Sequence, residues 1–187
     1  MTAFTIRVLG PGDEAVLSHV AEGTFDNPVD PATAKVYLND AKNLLLVALD
    51  DGTVVGFVSA IEYLHPDKPR SQLWINEVGV APAHRRRGVA TALLKELLET
   101  ARERGVGEAW VATESDNGPA LGPYPLLGGE QAPVEMARHH KRNPARKRLA
   151  RPSHWAWIRQ SALSSVQRVR RYARVVKVPW FLVTLNR

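Results

Sequence analysis

The chain has 187 residues, 44% of them apolar, with five Trp and no Cys. That length fits one ordinary domain with a remainder, and the missing cysteines exclude disulfides, thiolate metal sites and a cysteine nucleophile. The net charge of +6 conceals a division, because residues 137–187 hold 14 Lys+Arg and no acid, whereas 1–136 hold 11 basic against 19 acidic residues, a net of −8. The two segments are therefore expected to be a folded module, 1–136, and a basic tail, 137–187. The six His show no carboxylate partners at metal-ligand spacing, so no metal is expected. Arg7, Pro11, Asp13 and Glu14 interrupt the first 17 residues, which argues against a secretory leader. No apolar run approaches the ~20 residues that span a bilayer, and the expected location is cytoplasmic.

In chain order, Phe4-Thr5-Ile6-Arg7-Val8-Leu9 alternates and ends at Gly10-Pro11-Gly12, a first strand and a turn. Asp13 is placed to cap a helix running to about Glu22, and Asp30-Pro31 opens a second helix reaching about Leu38. Leu44–Leu49 and Thr53–Ile61 read as strands joined by the hairpin turn Asp50-Asp51-Gly52. Ser71–Val80 is the long central strand. From Ala90 to Arg104, Leu93, Leu94, Leu97, Leu98 and Ala101 form one apolar helical stripe, which Gly105 and Gly107 stop. Ala109–Thr113 is a further strand.

Between the central strand and that helix lies Arg85-Arg86-Arg87-Gly88-Val89-Ala90. A helix N-terminus offers free N–H groups and a partial positive charge, and Gly88 lets the backbone come close to a ligand. A phosphate or pyrophosphate is the expected guest.

This loop resembles the acetyl-CoA pyrophosphate loop of the GNAT N-acetyltransferases, whose pattern is Gln/Arg-x-x-Gly-x-Gly/Ala. The strand before it, the helix after it, and Asn117, Ala120, Tyr124, Leu127 and Gly128 in register with a second family motif extend the resemblance over residues 3–129. It implies a GNAT fold of the α/β (α+β) class: a central, mixed but mostly antiparallel sheet with helices on both faces, here with a basic C-terminal extension. It also implies acetyl-CoA as cofactor, held by Val78, Gly79, Val80, Arg85, Arg86, Arg87, Gly88, Val89, Ala90, Thr91 and Asn117. Pro69-Arg70-Ser71, the acid in Ile75-Asn76-Glu77-Val78-Gly79-Val80, and His84–Leu93 further resemble the aminoglycoside 3-N-acetyltransferase branch, which confers gentamicin-type resistance.

Acetyl transfer to an amine needs a neutral amine, a polarised thioester and a protonated leaving thiolate. Glu77 is the candidate base, because a carboxylate flanked by apolar residues can have a raised pKa; an ordinary surface glutamate is the plain alternative. The N–H of Val78 or Val80 is the candidate donor to the thioester carbonyl. The resemblance assigns the acid toward the thiolate to Tyr124, against a core aromatic as the alternative. The run Gly118-Pro119-Ala120-Leu121-Gly122-Pro123-Tyr124-Pro125 departs from the family, since prolines interrupt a helix there. A module of net −8 attracts polycations, and Asp26, Asp30, Glu62, Asp67, Glu77, Glu114 and Asp116 are candidates to line an acceptor cleft. The expected partner is a small cationic amine such as an aminoglycoside, and a homodimer stays open.

Residues 137–151 are basic with no apolar period and read as disordered. From Ser153 a stripe of Trp155, Ile158, Ala162, Val166, Val169, Ala173 and Val176 has helical spacing, and Val178–Val183 has a strand-like apolar run. Two origins compete: a basic appendage for nucleic acid or membrane, or a late reading-frame change in a gene of this family. The function expected is acetyl-CoA-dependent N-acetylation of an aminoglycoside amine, conferring resistance. The alternatives are a GNAT acting on another small amine or a protein amine, and a catalytically impaired CoA-binding module with a nucleic-acid- or membrane-binding tail.

Overall fold

A computed structural model of the chain describes residues 4–114, 117, 122–135 and 172–179. Its strands are β1 (Thr5–Leu9), β2 (Asn43–Asp50), β3 (Thr53–Tyr63), β4 (Gln72–Val80), β5 (Glu108–Glu114), β6 (Glu130–Glu135) and β7 (Tyr172–Pro179). They form one mixed sheet in the order β1-β2-β3-β4-β5-β7-β6. Every neighbouring pair is antiparallel except β4–β5. The helices are α1 (Pro31–Asn39), α2 (Val89–Glu103) and the single turn α3 (Pro123–Leu126).

Strand alternation sorts the core onto the two faces. Leu44, Leu46 and Ala48 of β2 pack with Leu93, Leu94 and Leu97 of α2. Leu45 and Val47, between them in sequence, pack instead with Ala34 and Leu38 of α1. A continuous apolar run is what a strand buried on both sides requires. The expected GNAT architecture, a mixed sheet with helices on both faces, is what the molecule has.

Local chemistry sets the element ends. The Asp30 carboxylate accepts from the Thr33 N–H at 2.7 Å, with Pro31 in the first turn. Asp51 (φ +48) and Gly52 (φ +73) make a two-residue hairpin loop, both residues left-handed as a type I′ turn demands. At the end of α2, Gly105 is left-handed, its N–H bonds Arg102 C=O, and Val106 N–H bonds Ala101 C=O at 3.0 Å. Those two bonds and the buried Val106 make a Schellman termination.

Three expectations need correction. The segment after Asp13 is a 3-10 helix of five residues, Glu14–Ser18, rather than an α-helix to Glu22. The Asp13 carboxylate is taken by Gly10 N–H at 3.0 Å and by the Arg7 guanidinium, so it caps nothing. Ala173 and Val176, assigned by spacing to a helix, lie in β7 between β5 and β6. That strand comes from the basic segment expected to lie outside the fold; the rest of the proposed disordered run and helical stripe lies outside the described residues. Finally, the described part of the proline-rich stretch, from residue 122, forms α3 with Pro123 at its first position. N–H groups of a first turn have no intrahelical partner, so Pro123 and Pro125 cost little there. Among the described residues no helix is long and apolar enough to cross a membrane.

Candidate active site

The loop between β4 and α2 begins as a 3-10 turn, Pro82–His84, tied by His84 N–H to Ala81 C=O at 2.8 Å. It then passes through Arg86 at φ +62 and Gly88 at φ +80 before α2 starts. Gly88 supplies no side-chain cap to the helix, so the first-turn N–H groups are available to a ligand. A Cβ built on Gly88 meets nothing within 4 Å, which makes the space before the helix open. Val89 turns its side chain into the core; a Cβ on Gly56 of β3 would come within 2.8 Å of Val89 Cγ1. The helix N-terminus is thus seated tightly on β3. Ala90 and Thr91 are half-buried in the same first turn.

The three arginines differ. Arg85 Nε donates to Val80 C=O at 3.1 Å. Arg87 reaches toward the Asp50 carboxylate at 3.9 Å. Arg86 is exposed on its left-handed backbone. Left-handed turns, uncapped N–H groups and guanidinium groups make a donor set suited to a phosphate or pyrophosphate.

β4 holds the other half. It pairs with β5 only from Gln72 to Ile75, so its remainder has an open edge on that side among the described residues. Opposite β3, Ser59 faces Glu77 and Ala60 faces Ile75, which leaves Asn76 as a bulge. The bulge resets the alternation. Ile75, Val78 and Val80 all pack toward α2, whereas Glu77 is displaced to the opposite face. In a regular strand with no bulge at Asn76, Glu77 would share the face of Ile75 under the helix.

The backbone follows the same count. Ala81 N–H bonds Val55 C=O at 2.9 Å, so Ala81, Gly79 and Glu77 direct their main-chain groups to β3. Val78 and Val80 direct theirs to the open edge, where the Arg85 guanidinium already meets Val80 C=O. Gly79, expected at the cofactor, is required as a glycine by packing on its other side. A Cβ there would lie under 3.0 Å from both the Phe57 ring and the Thr24 carbonyl oxygen.

That close approach organises the Glu77 face. Thr24 is buried with its hydroxyl donating to Ala21 C=O at 2.7 Å. Phe25 stacks on Phe57 at 3.9 Å and 16°. Asp26 follows, lining a cleft of about 810 Å³ with Glu22, Phe25 and Ala34. Partial burial raises the Glu77 carboxyl above its ordinary pKa, and the nearby Asp26 charge adds to the rise.

The other acids expected at an acceptor cleft are mostly committed elsewhere. Asp30 caps α1, Glu62 pairs with Arg104 at 2.9 Å and accepts from the Ser71 hydroxyl, and Asp67 pairs with His65. Glu114 is known by its backbone in β5, and Asp116 lies outside the described residues. Tyr124 is buried in the α2-side core at 4% exposure. Burial pushes its hydroxyl up to about 12. Asn117 is exposed.

Comparison with known proteins agrees with this fold. Residues 16–128 match the model of the Acetyltransferase (GNAT) family. The chain belongs to the GNAT acetyltransferase family, whose cofactor is acetyl-CoA. It is 31% identical over 115 residues to streptothricin acetyltransferase of Streptomyces lavendulae, covering 54% of this chain and 59% of that protein. An aminoglycoside acetyltransferase from an uncultured soil metagenomic sample superposes with a TM-score of 0.57 at 29% identity, covering 76% of this chain and 99% of that one. The yncA protein of Salmonella typhimurium, solved with its cofactor acetyl-CoA, gives a TM-score of 0.60 at 20% identity over 95% of this chain and 94% of that one, a likeness of fold. The chain spans 36–59% of the length of the curated relatives it matches.

Proposed function

We infer that the protein moves the acetyl group of acetyl-CoA to an amine of a small cationic acceptor, with an aminoglycoside 3-amino group as the first choice and resistance as the outcome. The observation that carries this reading is Glu77, set by the Asn76 bulge on the cleft face beside the open edge of β4. When bound, acetyl-CoA supplies an acyl group activated as a thioester. Arg85, Arg86 and the N–H groups of Gly88, Val89, Ala90 and Thr91 would hold its phosphates. Glu77 takes the proton that an ammonium must lose before its nitrogen lone pair can attack. Val78 N–H, on the open edge, donates to the oxygen where negative charge develops. Tyr124 keeps its proton at neutral pH, since burial holds its pKa high, and would be the donor toward the leaving sulfur. Asp26 contributes a second negative charge that favours a polycation in the cleft.

Two variants test the parts. Gly88→Ala forces a side chain into a left-handed conformation, costing about 1–2 kcal/mol, at the place where an anion must approach. It is expected to weaken CoA binding by calorimetry roughly ten-fold. Tyr124→Phe is expected to lower kcat about ten-fold or more with KM for acetyl-CoA unchanged. Equal kcat would make Tyr124 a core aromatic only.

The deciding experiment is a thiol-release assay on the full chain with acetyl-CoA against gentamicin, diamino acids and peptides with free N-termini. Turnover on a peptide without turnover on aminoglycosides overturns the acceptor assignment. A second reading, a CoA-binding module of low activity, is favoured by one observation, the burial of Tyr124 within the core. CoA binding without turnover on any amine would select it.

A further inference from the structure

Asp50 ends β2, on the hairpin that faces the loop between β4 and α2. Its Oδ2 meets two residues of that loop: His84 Nε2 at 3.1 Å and Arg87 Nη2 at 3.9 Å. The Asp50 and His84 side chains are 18% and 19% exposed, so water screens their attraction less than it would at the open surface. His84 Nδ1 is buried without a partner among the described residues. The ring therefore takes its orientation from Asp50.

The two residues held are the ones flanking Arg85 and Arg86. Between them the backbone turns left-handed at Arg86, a non-glycine residue at φ +62. Such a conformation persists only where surrounding contacts over-determine it. After Arg85 N–H meets Pro82 C=O at 3.4 Å, the 3-10 turn ends. Asp50 then grips the chain on both sides of the strained residue.

We propose that Asp50 is a positioning residue for phosphate recognition, setting the Arg86 turn through His84 and Arg87 so that the loop is shaped for its anion in advance. It acts through these two side chains and does not touch the ligand. The proposal rests on the assignment of Arg85–Ala90 as the phosphate loop. It also makes a prediction opposite in sign to simple electrostatics. A carboxylate near an anion site repels the anion, so removing its charge alone would tighten binding.

The test is calorimetric binding of CoA to the full-length protein, with KM for acetyl-CoA and kcat measured in parallel. Asp50→Asn keeps the size of the side chain and removes its charge. It is expected to weaken CoA binding and raise KM roughly five- to twenty-fold through lost preorganisation, with kcat within about two-fold. Asp50→Glu, which retains the charge, is expected to recover most of the binding. In the Asp50→Asn/His84→Phe double variant the losses are expected not to add, because both act on one anchor. Unchanged or tighter CoA binding by Asp50→Asn overturns the proposal, as does additive loss in the double variant. If the wild-type chain fails to bind CoA, the phosphate-loop assignment itself falls, which is a separate result.

Discussion

Glu77→Gln is expected to lower acetyl transfer at least ten-fold, about 1.4 kcal/mol in the barrier, without loss of the folded state. The side chain is only partly covered on β4, so an isosteric amide leaves packing intact. The pH profile carries more information than the rate. Glu77 works as a base only when ionised, so kcat/KM falls as pH drops through its pKa. Burial first and Asp26 second raise that pKa, which moves the acidic limb upward toward neutrality. Asp26→Asn removes the second cause, and the limb is expected to shift to lower pH. A limb that stays in place would show that Asp26 does not act on the base. The linkage to stability has a fixed sign. A carboxyl raised in the folded state contributes stability below its unfolded pKa and loses it as pH rises through the folded value.

Gly79→Ala is expected to have the larger effect on folding. The added Cβ overlaps both the Phe57 ring and the Thr24 carbonyl oxygen, and the second of these is backbone that cannot rotate aside. Overpacking of this kind costs about 1–3 kcal/mol, and in a chain of this size each kcal/mol lowers Tm by about 2–4 °C. The displacement has a functional consequence as well. Thr24 leads into Phe25, whose ring stacks on Phe57, and Phe25 leads into Asp26 beside the base. Pushing Thr24 away separates Asp26 from Glu77, so the acidic limb in Gly79→Ala is expected to move in the same direction as in Asp26→Asn. An unaltered Tm would contradict the close approach of strand and loop.

Much of this was legible in the sequence because the determinants are local. Asp30-Pro31 caps α1, Asp51-Gly52 closes the hairpin, and the leucine stripe of α2 has the period of its buried face. The loop Arg85–Ala90 was legible for the same reason: a glycine at a helix start marks it. What was not legible depends on partners distant in sequence. The Asn76 bulge leaves no signature in composition, yet it decides which face Glu77 occupies. Asp13 looks like a cap, but Arg7 and Gly10 claim its carboxylate. Ala173 and Val176 fit a helical spacing by accident; the β-branched run Val175, Val176, Val178 was the better local signal for a strand. Asp50 reads in sequence only as part of a hairpin turn, because its two partners lie more than thirty residues away. Gly56 and Gly79 carried a usable signal, since a glycine inside a strand commonly marks close approach of another group.

The strand order also fixes a sequence of assembly. Among the described residues β6 pairs with no strand but β7, so although residues 130–135 are synthesised first, they have no place in the sheet until 172–179 arrive. Until then β5 presents its backbone from Glu108 to Glu114 as a bare edge. Closing the intervening stretch is a non-local step, and such steps slow folding more than they weaken the finished fold. A nascent chain that has emerged only through β6 therefore carries the base, the phosphate loop and both cores on a sheet that still ends at β5, with its last strand waiting for a neighbour.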